Sequence, residues 1–114
     1  NTAASLAYKA VSEMKNLTKK LSGKQETAYG LAGLGDLYVS SAGGRNSKMG
    51  YYLGQGHLFK DAKEKFMKEV TVEGADLAFA IGSKILKEFN KEEFPLLLSM
   101  VDCIFNNKKL EINW

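Results

Sequence analysis

The chain holds one cysteine, one histidine, one proline and one tryptophan in 114 residues. A lone cysteine cannot close an internal disulfide, so Cys103, in its apolar stretch, is expected to be a buried core thiol. One His with one Cys falls short of the usual ligand set of zinc, and no metal is expected. No Ser-His-Asp arrangement is signalled either. His57 stands alone in a polar turn and is expected at the surface. No apolar run approaches the roughly 20 residues that a membrane span needs. The longest, Phe94 to Met100, is short and interrupted by the single proline, Pro95. The alternation of strands and helices that a βαβ fold writes into a sequence is missing too. No signal peptide is visible, and the chain opens on Asn1-Thr2 rather than Met, as expected of a piece of a longer protein.

What is present has the balance of a soluble globular domain: 45% hydrophobic, 25% charged, net charge +3. The length predicts one domain, residues 1–114, able to bury one core. The lysines interleave with acids, as in Lys60-Asp61-Ala62-Lys63-Glu64-Lys65. That pattern marks a solvated helix face rather than a nucleic-acid surface. The weak positive field favours an anionic small substrate.

Hydrophobic spacing predicts helices throughout. Ala3, Ala7, Ala10, Met14, Leu17 and Leu21 step by threes and fours along a first helix that ends at Ser22-Gly23. Glu26 to Ser41 is expected to be helical in one or two pieces, despite Gly30, Gly33 and Gly35. Three glycines so close together imply tight packing or the close approach of a ligand to the backbone. Ala42-Gly43-Gly44 reads as a turn, Arg45 to Leu53 as a short helix stopped by Gly54-Gln55-Gly56, and Lys60 to Lys68 as another helix. Val70 to Gly74 is expected to be an extended connector. Asp76 to Phe89 follows as a long helix with Leu77, Ile81, Ile85 and Phe89 inward. A last helix runs from Pro95 to about Phe105, packed by Leu96, Leu97, Met100, Val101 and Ile104. Leu110, Ile112 and Trp114 are expected to fold back on the body. The whole is an all-α domain of about six or seven helices.

Few residues could carry chemistry. Gly30, Gly33 and Gly35 spell G-x-x-G-x-G, not the dinucleotide fingerprint G-x-G-x-x-G, and no strand precedes them. Gly43-Gly44-Arg45-Asn46 offers more. Two glycines admit a ligand to the backbone, the helix start behind them favours an anion, and Arg45 adds a fork for two phosphate oxygens. Asn46 can donate through its amide. From the residues alone, a plain helix–helix turn with an exposed Arg fits the same tetrapeptide. Asp36 lies among small and apolar residues and looks buried, so it is expected to be paired or hydrogen-bonded. It is either a functional acid, the partner of a cation, or a structural cap. Glu73, just before a helix, either binds hydroxyls such as those of ribose or caps that helix.

Taken together these pieces resemble one family. Gly30 to Leu37 (GLAGLGDL), then Arg45-Asn46, then Gly50 to Gly56 (GYYLGQG) are similar to a segment of bacterial NAD(P)-dependent glycerol-3-phosphate dehydrogenases. Gly43-Gly44-Arg45-Asn46 resembles the G-G-R-N of their eukaryotic relatives. Asn1 to Leu6 with Glu13-Met14 is similar to the family's N-T-x-A-A-L…E-M helix, and Val72-Glu73-Gly74 to its V-E-G. The likeness covers nearly the whole chain and weakens after about residue 90.

The resemblance implies an all-α, multi-helical domain like the C-terminal domain of glycerol-3-phosphate and 6-phosphogluconate dehydrogenases. Its implied partner is its own N-terminal Rossmann domain, which is not in this chain and which holds most of an NAD or NADP cofactor. The implied reaction interconverts dihydroxyacetone phosphate and sn-glycerol 3-phosphate by hydride transfer, in cytoplasmic carbohydrate and phospholipid metabolism. Asp36 matches the Asp beside the family's catalytic lysine. Asp36, Ser40, Gly44, Arg45 and Asn46 match substrate-binding positions. Arg45 and Glu73 match positions by the cofactor.

Three departures stand out. The catalytic lysine of the family lies upstream of the N-T segment and is absent, so the chain alone is expected to be inactive. Gly44 replaces the serine usual before R-N in bacterial members, and Ala3 stands where many members have a basic residue. The rival expectation is a stand-alone helical interaction or dimerisation module. The alanine-lined first helix and the apolar tail leave room for a homodimer.

Overall fold

A computed structural model describes residues 1–112. Its elements are α1 (Thr2–Lys20), α2 (Asp36–Ser41), α3 (Arg45–Gly54), α4 (Phe59–Phe66), α5 (Glu73–Glu88) and α6 (Pro95–Phe105). No strand occurs among the described residues, so the all-α expectation holds. A 3-10 turn, Gln25–Tyr29, and a π-helical turn, Leu31–Gly35, lead from α1 into α2. The segment expected in one or two helical pieces is therefore three. Gly33 is the reason. A Cβ there would overlap the Ala28 carbonyl oxygen, so only glycine lets the π turn fold onto the 3-10 turn. The close approach that the glycines implied is, at Gly33, to the chain's own backbone.

The start of α1 is local. Asn1 Oδ1 accepts from the Ala4 N–H at 3.0 Å, and Lys19 and Lys20 sit at the negative end. Three later helices are capped instead by side chains from far along the chain. Asn107 Oδ1 accepts from the Lys60 N–H at the start of α4 at 3.0 Å. Asn46 Oδ1 accepts from the Gly74 N–H at the start of α5 at 2.9 Å. Glu13 takes the first two N–H groups of α6, Leu96 at 2.8 Å and Leu97 at 2.9 Å. Pro95 has no N–H to offer, so Glu13 satisfies the first donors that helix has. Glu13 is only 8% exposed, and the positive end of α6 faces its charge. Asn16 Nδ2 adds a bond to the Glu93 carbonyl at 3.0 Å, so α1 grips the entry to α6 twice.

The core joins Met49 and Leu53 of α3, Phe59 and Ala62 of α4, Met67, Val72, Ala75 of α5 and Cys103 of α6. Leu110 packs against it, so the tail folds back as expected as far as Leu110; Trp114 lies outside the described residues. α4 ends one residue before Met67, which is buried all the same. His57 is half-buried rather than at the surface. Its ring stands edge-on to Phe66 at 5.2 Å, and Phe66 stacks on Tyr52 at 4.3 Å.

Two faces differ from the periodicity. α5 buries Ala75, Ala78, Gly82 and Ile85, while Leu77 and Ile81 remain 58% and 42% exposed. The small stripe wins because α6 lies close against it: a Cβ at Gly82 would come within 2.9 Å of Phe105 Cδ2. Likewise α6 buries Leu96, Ser99, Val101 and Cys103 and leaves Met100 exposed. On α1, Ala3 and Ala7 are exposed and only Val11 and Glu13 are buried. The displaced apolar residues are not scattered. Leu17, Leu77, Ile81 and Met100 line one open apolar groove of about 1030 Å³ along α1, α5 and α6.

Candidate functional site

The turn Ala42–Gly44 brings the end of α2 to the start of α3, and the Asn46 cap brings the start of α5 to the same place. A cleft of about 240 Å³ results, lined by Ser40, Gly43, Gly44, Arg45, Asn46, Ser47 and Glu73. Of the six residues singled out in the sequence, five meet here; Asp36 does not line the cleft. Gly43, one of the two glycines read as admitting a ligand to the backbone, lines it too, and Ser47 was missed. Its one signal is position, in the first helical turn that carries Arg45 and Asn46.

Gly44 shapes the entrance. Its φ of 116° and ψ of 173° lie in a region that essentially only glycine occupies. The serine usual at this position in bacterial members could not take this backbone without strain, although no atom lies within 4 Å of where its Cβ would be. Gly44 thus closes the turn and leaves the first N–H groups of α3 open, since no side chain caps that helix. A ten-residue helix starting here presents the positive end of its dipole to the cleft.

Arg45 is the only arginine in the chain. Its Nη2 donates to Glu73 Oε1 at 2.7 Å, with both side chains more than half exposed (55% and 69%). Asn46 spends Oδ1 on the Gly74 N–H. No hydrogen bond among the described residues engages its Nδ2. The cleft therefore holds a guanidinium, an amide donor, two serine hydroxyls and helix N–H groups, all donors to an anion. Its one acid, Glu73, is already on the arginine.

Asp36 is exposed, which corrects the expectation that it is buried. Among the described residues its carboxylate makes neither an ion pair nor a hydrogen bond. The physical reason is that its apolar neighbours are themselves uncovered. Leu34 is 46%, Tyr38 78% and Val39 70% exposed. Asp36 and Ser40 sit four residues apart on α2, hence on one face, their Cβ atoms about 5–6 Å apart. The carboxylate thus stands one helical turn from the cleft, on an apolar surface.

Cys103 is a buried free thiol whose titration is displaced. Burial, and then the nearby Asp102 charge, raise its thiol pKa, which makes it a core residue and not a nucleophile. Among the described residues no group of three His, Cys, Asp or Glu could hold a metal ion, and no helix is long and apolar enough to cross a membrane.

Comparison with known proteins agrees in every direction that yields a match. The family described as "NAD-dependent glycerol-3-phosphate dehydrogenase C-terminus" matches residues 1–113. An NADP(+)-dependent glycerol-3-phosphate dehydrogenase of Archaeoglobus fulgidus is 34% identical over 97% of the chain and 33% of the relative. A glycerol-3-phosphate dehydrogenase [NAD(P)+] of Clostridium acetobutylicum is 35% identical over 94% of the chain and 32% of the relative. That of Chlamydia pneumoniae is 34% identical over 97% and 33%. The chain spans about a third of the length of these curated relatives. No solved structure matches. The chain belongs to the NAD-dependent glycerol-3-phosphate dehydrogenase C-terminus family.

Proposed function

We propose that the chain is the helical substrate-binding domain of a cytoplasmic NAD(P)-dependent sn-glycerol-3-phosphate dehydrogenase. The rest of the enzyme supplies a Rossmann domain and a catalytic lysine, and the chain alone transfers no hydride. The observation that carries this reading is convergence: Ser40, Gly44, Arg45, Asn46 and Glu73, spread over 34 positions, line one small cleft rich in anion donors.

The fit to each group differs. About 240 Å³ is below the roughly 300–1,000 Å³ of ordinary ligand pockets, which suits a triose phosphate better than a dinucleotide. NAD or NADP could meet this chain only at the rim, through Arg45 and Glu73, and in its reduced form, NADH or NADPH, it would supply the hydride when bound. The chain's own residues then have positioning roles. The fork of Arg45, Nδ2 of Asn46 and the N–H groups of α3 hold the phosphate, while Ser40 offers a hydroxyl to the same ligand. Held by its remote end, a ketone can be fixed at a set distance from a hydride donor, which is where much of the rate gain arises. Asp36, one helical turn from the cleft, would hold a lysine ammonium supplied by the rest of the enzyme. That lysine would donate the proton that the developing alkoxide needs.

The test is Arg45→Ala in the full-length enzyme. KM for dihydroxyacetone phosphate should rise by roughly tenfold to several hundredfold, as for loss of a charge-assisted hydrogen bond worth about 1.5–3 kcal/mol or more. Unchanged KM and kcat would remove the cleft from the reaction.

A further inference from the structure

The anion seat on Arg45 already has an occupant. Glu73 Oε1 lies 2.7 Å from Arg45 Nη2, closer than an ordinary neutral hydrogen bond. We propose that Glu73 is a built-in competitor for that seat, which an entering phosphate group must displace and which thereby sets how strongly the cleft binds anions. The claim rests on the reading of the cleft as a phosphate site and concerns how that site is tuned.

Four observations support it. First, a phosphate and the Glu73 carboxylate cannot share one guanidinium cheaply, because like charges at hydrogen-bond distance repel. Arg45 is the only arginine, so no second fork relieves the conflict. Second, the pair is exposed, 55% and 69%, and such pairs are weak enough to exchange. A buried pair would block the site; this one only raises the threshold for entry.

Third, the released carboxylate has somewhere to go. Glu73 is the first residue of α5, and the positive end of that helix stabilises its charge without Arg45. Fourth, the exchange does not dismantle the cleft. The bond from Gly74 N–H to Asn46 Oδ1 ties α3 to α5 independently of the ion pair. Ligand entry can therefore turn Glu73 away from Arg45 while the donors around the seat stay in register. The freed carboxylate becomes an acceptor at the rim, available to a hydroxyl of whatever binds next to the phosphate.

The test titrates the 114-residue chain with inorganic phosphate, following the backbone amide NMR signals of Gly44 to Ser47. Glu73→Gln should tighten phosphate binding by about two- to fivefold, the range an exposed ion pair commands. Glu73→Asp, whose shorter side chain reaches Arg45 less well, should move the same way. Glu26→Gln, an exposed carboxylate on the 3-10 turn outside the cleft, controls for net charge and should change binding less than either. Equal or weaker binding in both Glu73 variants overturns the competitor and leaves the phosphate site standing. Binding that survives Arg45→Ala unchanged, or no binding by any of the chains, overturns the phosphate site and the competitor with it.

Discussion

Glu13→Ala should be among the most destabilising single changes in this chain. The side chain is 8% exposed and accepts from two consecutive N–H groups, Leu96 at 2.8 Å and Leu97 at 2.9 Å. Alanine leaves both donors without a partner at a helix end whose first N–H-bearing residue, Leu96, is itself buried. Each orphaned buried donor costs about 1–3 kcal/mol. The space left by the side chain lets water reach one of them, which argues for the lower half of the summed range, about 2–4 kcal/mol. Against a domain stability of about 5–15 kcal/mol this is a large share. It corresponds to a fall in Tm of roughly 10–20 °C at this chain length. Glu13→Gln keeps one acceptor oxygen and the volume but loses the charge facing the α6 dipole, and should fall between wild type and alanine. Urea unfolding followed by circular dichroism measures both, the loss read from the midpoint at constant m. A loss under about 1 kcal/mol for the alanine variant, with m unchanged, would show that α1 does not hold the entry of α6 as described.

Three further outcomes are expected. Gly44→Ser should cost about 1–3 kcal/mol of strain at a φ of 116°, seen as lower stability or as loss of phosphate affinity at Arg45; a variant unchanged in both would show that the turn relaxes freely. Gly82→Ala should destabilise by about 1–3 kcal/mol, because its Cβ would come within 2.9 Å of Phe105 Cδ2. Trimming the ring with Phe105→Leu should recover part of that loss, and no recovery would place the clash elsewhere. Cys103 should resist iodoacetamide at pH 8 until urea unfolds the chain, its thiol pKa being raised by burial and by Asp102. The same shift keeps the folded thiol protonated after the unfolded one ionises. Stability should therefore fall as pH rises past the ordinary thiol pKa of about 8.5, and Cys103→Ala should remove that slope.

The helices were legible wherever the signal was local. Asn1 caps α1, Pro95 opens α6, and the glycines after Leu53 stop α3. The start of α5 was not. Its cap comes from Asn46, 28 residues away, so Val72-Glu73-Gly74 carries no local sign that the helix has begun. The same holds for Asn107 on α4 and Glu13 on α6. Periodicity also misjudged α5, because a hydrophobic pattern scores Leu77 and Ile81 above Ala75, Ala78 and Gly82. Close helix packing prefers the small residues, and that preference depends on a partner 20 or so residues downstream. The cleft was legible as a list of residue types around Gly44-Arg45-Asn46. The Arg45–Glu73 pair was not, since it requires knowing that α3 and α5 begin side by side.

Asp36 is the most informative error. Its sequence surroundings are those of a buried acid, yet in the structure the acid and its apolar neighbours are uncovered together. Leu31 at 89% and Tyr38 at 78% exposure would be costly in a self-sufficient domain, and so would the open groove along α1, α5 and α6. The chain spans a third of its relatives, and on the proposed function the apolar surface around Asp36 meets the remainder. Covering that surface would do more than bury area. It would move Asp36 from water into a low dielectric, where an unpaired carboxylate is strongly disfavoured and a lysine partner correspondingly favoured. On that proposal the phosphate seat is built within these 114 residues, whereas the acid one turn away would acquire its environment only from the remainder of the protein. Anion binding should accordingly survive in the chain alone, and any role for Asp36 should not.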